Sequence, residues 1–192
     1  MMRYLQIISL VLIIPALHGC VALVATTAAG GVLIAEDRRT NAAMLEDESL
    51  EFKVGGRIID KYNSQRDKIH LNVTSYNRNV LITGEVPSDE VKAGAEKTAR
   101  EVSNVREVTN ELAVGEPASI GSRSNDTLIT SKVKTRFIEA RKFQPNWVKV
   151  VTENKVVYLM GIVNHKEAAD AADVASTTSG VEKVVKVFEY TD

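Results

Sequence analysis

Few residues in this chain are of a type that could do chemistry. It holds one cysteine, Cys20, and three histidines, His18, His70 and His165. That inventory excludes zinc fingers, paired-cysteine redox motifs and disulfide frameworks. His70 and His165 fall in different halves, with no cysteine or paired carboxylate at ligand spacing, so no metal site is expected. Hydroxyl and carboxylate side chains are plentiful, yet no GxSxG motif occurs and no base stands beside a nucleophile. Neither catalysis nor a cofactor is expected. Gly84 and Gly161 each stand alone at the end of an apolar run, which suggests a bulge or a close backbone approach rather than a phosphate cradle. What remains is binding chemistry: Lys132, Lys134, Arg136, Arg141 and Lys142 crowd one stretch that opens on Leu128.

Cys20 has its own context. Arg3 is followed by a mostly apolar run, Tyr4 to Leu17, shorter than the roughly 20 residues that span a bilayer. A short basic segment and a short apolar one read as a secretory signal. The run ends in Leu17-His18-Gly19-Cys20. This resembles a bacterial lipobox, although His18 replaces the usual small residue, and the resemblance implies removal of residues 1–19 and acylation of Cys20. Each buried methylene contributes about 0.8 kcal/mol, so several acyl chains anchor firmly where one does not. Val21 follows Cys20, and lipoproteins without Asp there are generally passed to the outer membrane. The expected location is therefore the outer membrane, lipid-anchored and facing the periplasm. Residues 20–45 are expected to be a tether, with a packed helix over Val21 to Ala35 as the alternative.

The whole chain, at 192 residues with 44% hydrophobic and 26% charged content, is globular in composition. A net charge of −1 gives no general attraction to nucleic acid.

Two copies of one unit follow the tether. Val80-Leu-Ile-Thr-Gly-Glu-Val86 matches Val157-Tyr-Leu-Met-Gly-Ile-Val163, and Val105–Val108 matches Val181–Val184. Upstream, Leu50, Val54 and Arg57 match Ile129, Val133 and Arg136. The first copy predicts helix Asp47–Lys61, strands Ile69–Ser75 and Val80–Val86, helix Ser88–Val102 and strand Val105–Val114. In the second, Ile129, Val133, Phe137 and Ala140 recur at helical spacing behind Asn125-Asp126-Thr127 as cap candidates. Strands Val148–Thr152 and Val156–Val163 flank a hairpin turn. Asn164 and Glu167 form a capping-box pair opening the next helix, and Val181–Tyr190 is the last strand. The fold class is α+β: two tandem αββαβ domains, residues 46–115 and 124–192, joined by a linker at 116–123. Each would be a three-stranded mixed sheet with two helices on one face. A core that small is marginal alone, which favours packing of the two units together.

That element order resembles the BON domain, as do the Gly-x-Val strand ends (Gly84–Val86, Gly161–Val163) and the later Val-x-x-Val strands. Two such units behind a lipobox resemble the dual-BON outer-membrane lipoproteins. The resemblance implies phospholipid head-group binding and a role in envelope integrity.

Charge then separates the copies. Residues 46–114 hold ten Lys and Arg against thirteen Asp and Glu, a net of −3, while residues 123–192 hold eleven against nine, a net of +2. On the second copy's first helix Leu128, Lys132 and Arg136 form a stripe beside the core-facing residues. Alone, this reads as a solvated basic face with Leu128 as a hydrophobic staple. With the resemblance, it reads as contact with anionic phospholipid through Leu128, Lys132, Lys134 and Arg136. The sheet offers a second surface. If Val157, Leu159 and Val163 face the helices, Val156, Tyr158, Met160 and Ile162 face away and need a cover. The first unit or the tether could supply it, and Trp147 and Tyr190 could join the cluster. The alternative is a scaffold for envelope-assembly proteins, docking them on that face.

Overall fold

The computed structural model describes residues 37–192, and Glu36–Asp192 form one compact unit. The expected signal peptide, Cys20 and most of the expected tether lie outside the described residues.

The first domain opens with helix α1 (Asn41–Lys61), capped by the Thr40 hydroxyl, which accepts from the Ala43 N–H. Leu50, Val54 and Ile58 repeat every four residues and bury one stripe of it. The helix begins six residues before the expected Asp47, so residues 41–45, expected in the tether, are helical. A short 3₁₀ segment (Asn63–Lys68) leads into strand β1 (His70–Tyr76), which turns into β2 (Asn79–Val86). Helix α2 (Asp89–Arg100), capped by Ser88, crosses over to β3 (Glu107–Asn110) and β4 (Ala113–Val114). These two pieces replace the expected single strand 105–114. Both pair parallel with β2 in one continuous register, and the break lies opposite Thr83 and Gly84. Gly84 sits there at φ +113°, a conformation that glycine adopts readily, while the antiparallel ladder with β1 continues through it.

The second domain repeats the order. Helix α3 (Ile120–Ala140) is capped by Ser119, not by the expected residues 125–127, so the expected linker is helical from Ile120 onward. A 3₁₀ turn (Pro145–Trp147) precedes strands β5 (Val148–Glu153) and β6 (Val156–Val163). Helix α4 (His165–Ser176) starts with the full capping box of Asn164 and Glu167. Strand β7 (Lys183–Tyr190) then pairs with all of β6 without a break. Gly161 has no positive φ, unlike Gly84.

Both glycines are close-approach sites, as their isolation suggested. A Cβ on Gly84 would stand 2.1 Å from the His70 carbonyl oxygen, and one on Gly161 would stand 2.4 Å from that of Trp147.

Each sheet buries one face under its own two helices. The opposite faces meet each other. Tyr76 and Leu81 of the first domain close a core with Val151, Tyr158 and Met160 of the second, rimmed by Val156, Ile162, Val185 and Val187. The molecule is thus four layers, helices–sheet–sheet–helices. The contacts across the middle are reciprocal: Glu153 approaches His70, while Tyr76, its counterpart, reaches Trp147, the counterpart of His70. Contacts exchanged in this way mark an approximate two-fold relation between the domains.

Candidate functional site

Two buried aspartates, read from the sequence only as helix-start residues, set the exposed surfaces. Asp126, expected in an N-cap, lies inside α3 and faces inward. Its carboxylate accepts from the backbone N–H groups of Asn154 and Lys155, at 2.9 Å each. Both turn residues have positive φ. Asp47 does the same for Asn77 and Arg78 in the first domain and also accepts from the Ser75 hydroxyl and Arg39. Each aspartate pins its helix to its hairpin turn and so fixes which way the helix faces. The signal was present in the repeat, since Asp47 and Asp126 share the 79-residue spacing of Leu50 and Ile129.

With Asp126, Ile129, Val133 and Phe137 inward, the opposite side of α3 is in solvent. At about 100° per residue, Ile120, Leu128, Thr135 and Ile138 fall on that side. Ile120, Leu128 and Ile138 are 77%, 60% and 63% exposed. Of these, sequence reasoning singled out only Leu128. Ile120 precedes the buried apolar repeat that marks the helix, and Ile138 lies off the spacing of that repeat. Apolar residues thus stand on both sides of the helix.

The basic residues do not act as one stripe. Lys132 is exposed beside Leu128, and the two line a shallow groove of about 380 Å³ with Ser131, Thr135, Arg136 and Thr178. Arg136 is half-buried: its Nη1 donates to the Val174 carbonyl and the Thr178 hydroxyl, both at 2.9 Å. It ties α3 to the end of α4, as Arg57 reaches the Glu101 carbonyl in the first domain. Lys134 is exposed but lies outside the groove, on the other flank of the apolar row. Lys142 is held by Asp170 and Asp173 at 3.4 and 3.5 Å, which push its ammonium pKa up. Among the described residues, no acid pairs with Lys132 or Lys134. Glu139 is an exposed acid toward the C-terminal end of this helix.

The sheet face resolves differently from the scaffold reading. Met160 and Tyr158 are buried against the first domain, and Val156 and Ile162 pack at the rim of the same core. The cover is the first unit, so these residues are not a docking face for another protein. Trp147 and Tyr190 do not join that cluster. Trp147 lies under the Arg38 guanidinium, 3.6 Å from its ring centroid, and Tyr190 stacks on His165.

The N-terminal segment engages both domains. Arg38 donates to the Ile162 carbonyl and makes a two-pronged pair with Glu167 at 2.7 and 2.9 Å. Arg39 pairs with Asp47 at 2.9 Å and lies over the Tyr76 ring.

One polar group was not anticipated from linear spacing. His70 Nδ1 lies 3.0 Å from a Glu85 oxygen and 3.7 Å from one of Glu153. Burial pushes the Glu153 pKa up; His70 opposes this, and the charges of Glu85 and Asp126 reinforce it.

A repeated αββαβ unit with glycine-tightened hairpins, packed sheet to sheet, defines the class. The BON domain model matches residues 46–116 and 125–192, and the chain belongs to the BON-domain family. It is 40% identical over 176 residues to the outer membrane lipoprotein DolP of Haemophilus influenzae, covering 92% of this chain and 91% of that one. It is also 33% identical to the 21 kDa hemolysin of Actinobacillus pleuropneumoniae, covering 80% and 79%. The osmotically-inducible protein Y of Escherichia coli is 28% identical, covering 73% and 70%. The chain is accordingly an outer-membrane lipoprotein of the dual-BON kind, lipid-anchored and facing the periplasm. No helix among the described residues is long and apolar enough to cross a membrane.

Proposed function

We propose that this lipoprotein binds anionic phospholipid through the exposed side of α3 and thereby supports outer-membrane integrity. Cys20 carries the acyl chains, behind a signal peptide ending at residue 19. The first domain is a packing unit and the second the lipid-binding one. The protein acts by binding, with no catalytic step and no cofactor.

The observation that carries this reading is the exposed row Ile120, Leu128, Ile138 on the side of α3 opposite its core, with Lys132 and Lys134 on its flanks. Apolar side chains that find no cover among the described residues can enter the head-group boundary. Cations beside them sit at the phosphates, each contributing about 1 kcal/mol near an anionic surface. The first domain differs in charge: Leu45 and Phe52 are exposed on the matching side of α1, but Ser49 stands where Leu128 does, and Glu46, Glu48 and Glu51 crowd that helix.

The test is co-sedimentation of residues 37–192, which form one compact unit, with phosphatidylglycerol or phosphatidylcholine vesicles at two salt concentrations. Salt-sensitive binding to the anionic vesicles is expected. Leu128→Ser with Lys132→Glu should lower it at least about tenfold, while Phe52→Ser on α1 leaves it unchanged. Arg136→Ala should mainly lower thermal stability, since that guanidinium is already committed to α4. No sedimentation of the wild type at low salt overturns the proposal, as does wild-type binding by the Leu128/Lys132 variant.

A further inference from the structure

We propose that His70, Glu85 and Glu153 form a divalent-cation site, suited to zinc, that ties the two domains together across their sheet interface.

Geometry comes first. One ligand atom from each of the three side chains falls within 4.8 Å of the others, and His70 Nδ1 lies 3.0 and 3.7 Å from the two carboxylates. Ligands held tetrahedrally about 2.0–2.1 Å from zinc stand roughly 3.3 Å apart. The two separations from His70 are therefore already close to those that one ion would impose, with the two carboxylates within 4.8 Å of each other. A nitrogen with two oxygen ligands is also a set that zinc takes, whereas calcium and magnesium favour oxygen alone.

Charge makes a cation the natural occupant. Glu85 and Glu153 are 4% and 7% exposed, and Asp126 acts on Glu153 from nearby. Arg123 lines the same cavity, but it is exposed, whereas the two carboxylates are buried with a third at their side. Burying unbalanced negative charge is costly. A doubly charged ion removes that cost.

The carboxylates are also oriented from behind. Thr83 Oγ1 donates to Glu153 Oε2 at 3.4 Å, the Ala118 N–H donates to Glu85 Oε2 at 3.0 Å, and Asn154 Nδ2 donates to Glu85 Oε1. Such outer hydrogen bonds hold metal ligands in place. A cavity of about 310 Å³ reaches His70 and Glu153. It supplies an entry path and room for water as a fourth ligand.

The approximate two-fold gives an internal comparison. The counterparts of His70, Glu85 and Glu153 are Trp147, Ile162 and Tyr76. There the interface is closed by Arg38 over Trp147 and Arg39 over Tyr76. Packing two BON sheets thus does not require a histidine and two acids. The first end carries them in addition to what the interface needs.

The test titrates residues 37–192, freed of metal by a chelator, with zinc chloride against a chromophoric competitor. One equivalent should bind. His70→Gln and Glu153→Gln should each weaken binding at least about tenfold, and zinc should raise the melting temperature of the wild type but not of these variants. His165→Gln, a control at the exposed pair with Asp192, should bind as the wild type does. A readout that needs no variant comes from the imidazole proton resonances, where zinc should shift His70 and leave His165 in place. Failure of the wild type to take one equivalent overturns the site. So does unchanged affinity in both variants, or a shift confined to His165. Lipid binding is not involved in any of these readings, so the site and the membrane proposal fail separately.

Discussion

The two domains share one fold and divide its uses. In the first, Gly84 takes a positive φ and the parallel partner strand breaks in two opposite it, whereas in the second β6 and β7 run eight residues without interruption. Both first helices expose apolar side chains opposite their cores, Leu45 and Phe52 in the first domain and Ile120, Leu128 and Ile138 in the second, but acids crowd the first row and lysines flank the second. Asp47 accepts four hydrogen bonds and Asp126 two. The comparison shows that the inward half of a BON unit tolerates little change. The outward half and the sheet's interdomain face are where two copies can diverge in charge and contact without disturbing the core.

Three substitution pairs would break or sharpen that contrast. The largest effect is expected at the glycines. Gly84→Ala puts a methyl into the His70 carbonyl at a positive φ and should cost more than about 3 kcal/mol, whereas Gly161→Ala meets a similar clash without the left-handed strain and should cost less. Urea unfolding of the two variants side by side measures this, and equal losses would show that backbone conformation is not the difference.

Next come the aspartates. Asp47→Ala leaves two turn N–H groups and the buried Ser75 hydroxyl without their acceptor and removes one of the two acids that Arg39 pairs with, and should cost about 3 kcal/mol. Asp126→Ala strands only the two turn N–H groups and should cost about 2 kcal/mol. Thermal melts rank them, and a larger loss at Asp126 would reverse the assignment of the first domain as the more tightly pinned.

The smallest effect is in pH. Glu153 and Tyr76 are counterparts, and burial raises both, Tyr76 to about 12. A group raised on folding favours the folded state while protonated and withdraws that support as pH rises through its folded pKa. In chelator, stability should therefore decline as pH climbs above the ordinary carboxyl value of about 4.5, and Glu153→Gln should flatten that decline. Tyr76→Phe should leave the slope unchanged below pH 10.

Much of this was legible in the sequence. The repeat gave both helix–hairpin–helix–strand orders, and strand alternation separated the face of Val157 and Leu159 from that of Tyr158 and Met160. Helix starts were not legible, because neither Asn41–Glu46 nor Ile120–Asn125 carries the buried apolar repeat that marks the rest of each helix. Asn125-Asp126-Thr127 imitates a cap, and only the hairpin two strands away shows that Asp126 points inward. The His70 cluster was invisible because its members come from three strands and two domains. Their meeting depends on how one sheet is turned on the other, which no local pattern encodes.

The Arg38–Arg39 pair has a mechanical consequence. The chain enters the described fold at Asp37 and is fastened at once in two directions, Arg38 to the second domain and Arg39 to the first. Tension arriving along the backbone from the membrane side is thus split between the two halves of the sandwich. It loads the seam between them in parallel and does not peel α1 away from one domain alone. A protein held by its N-terminal end is thereby gripped at both domains at once.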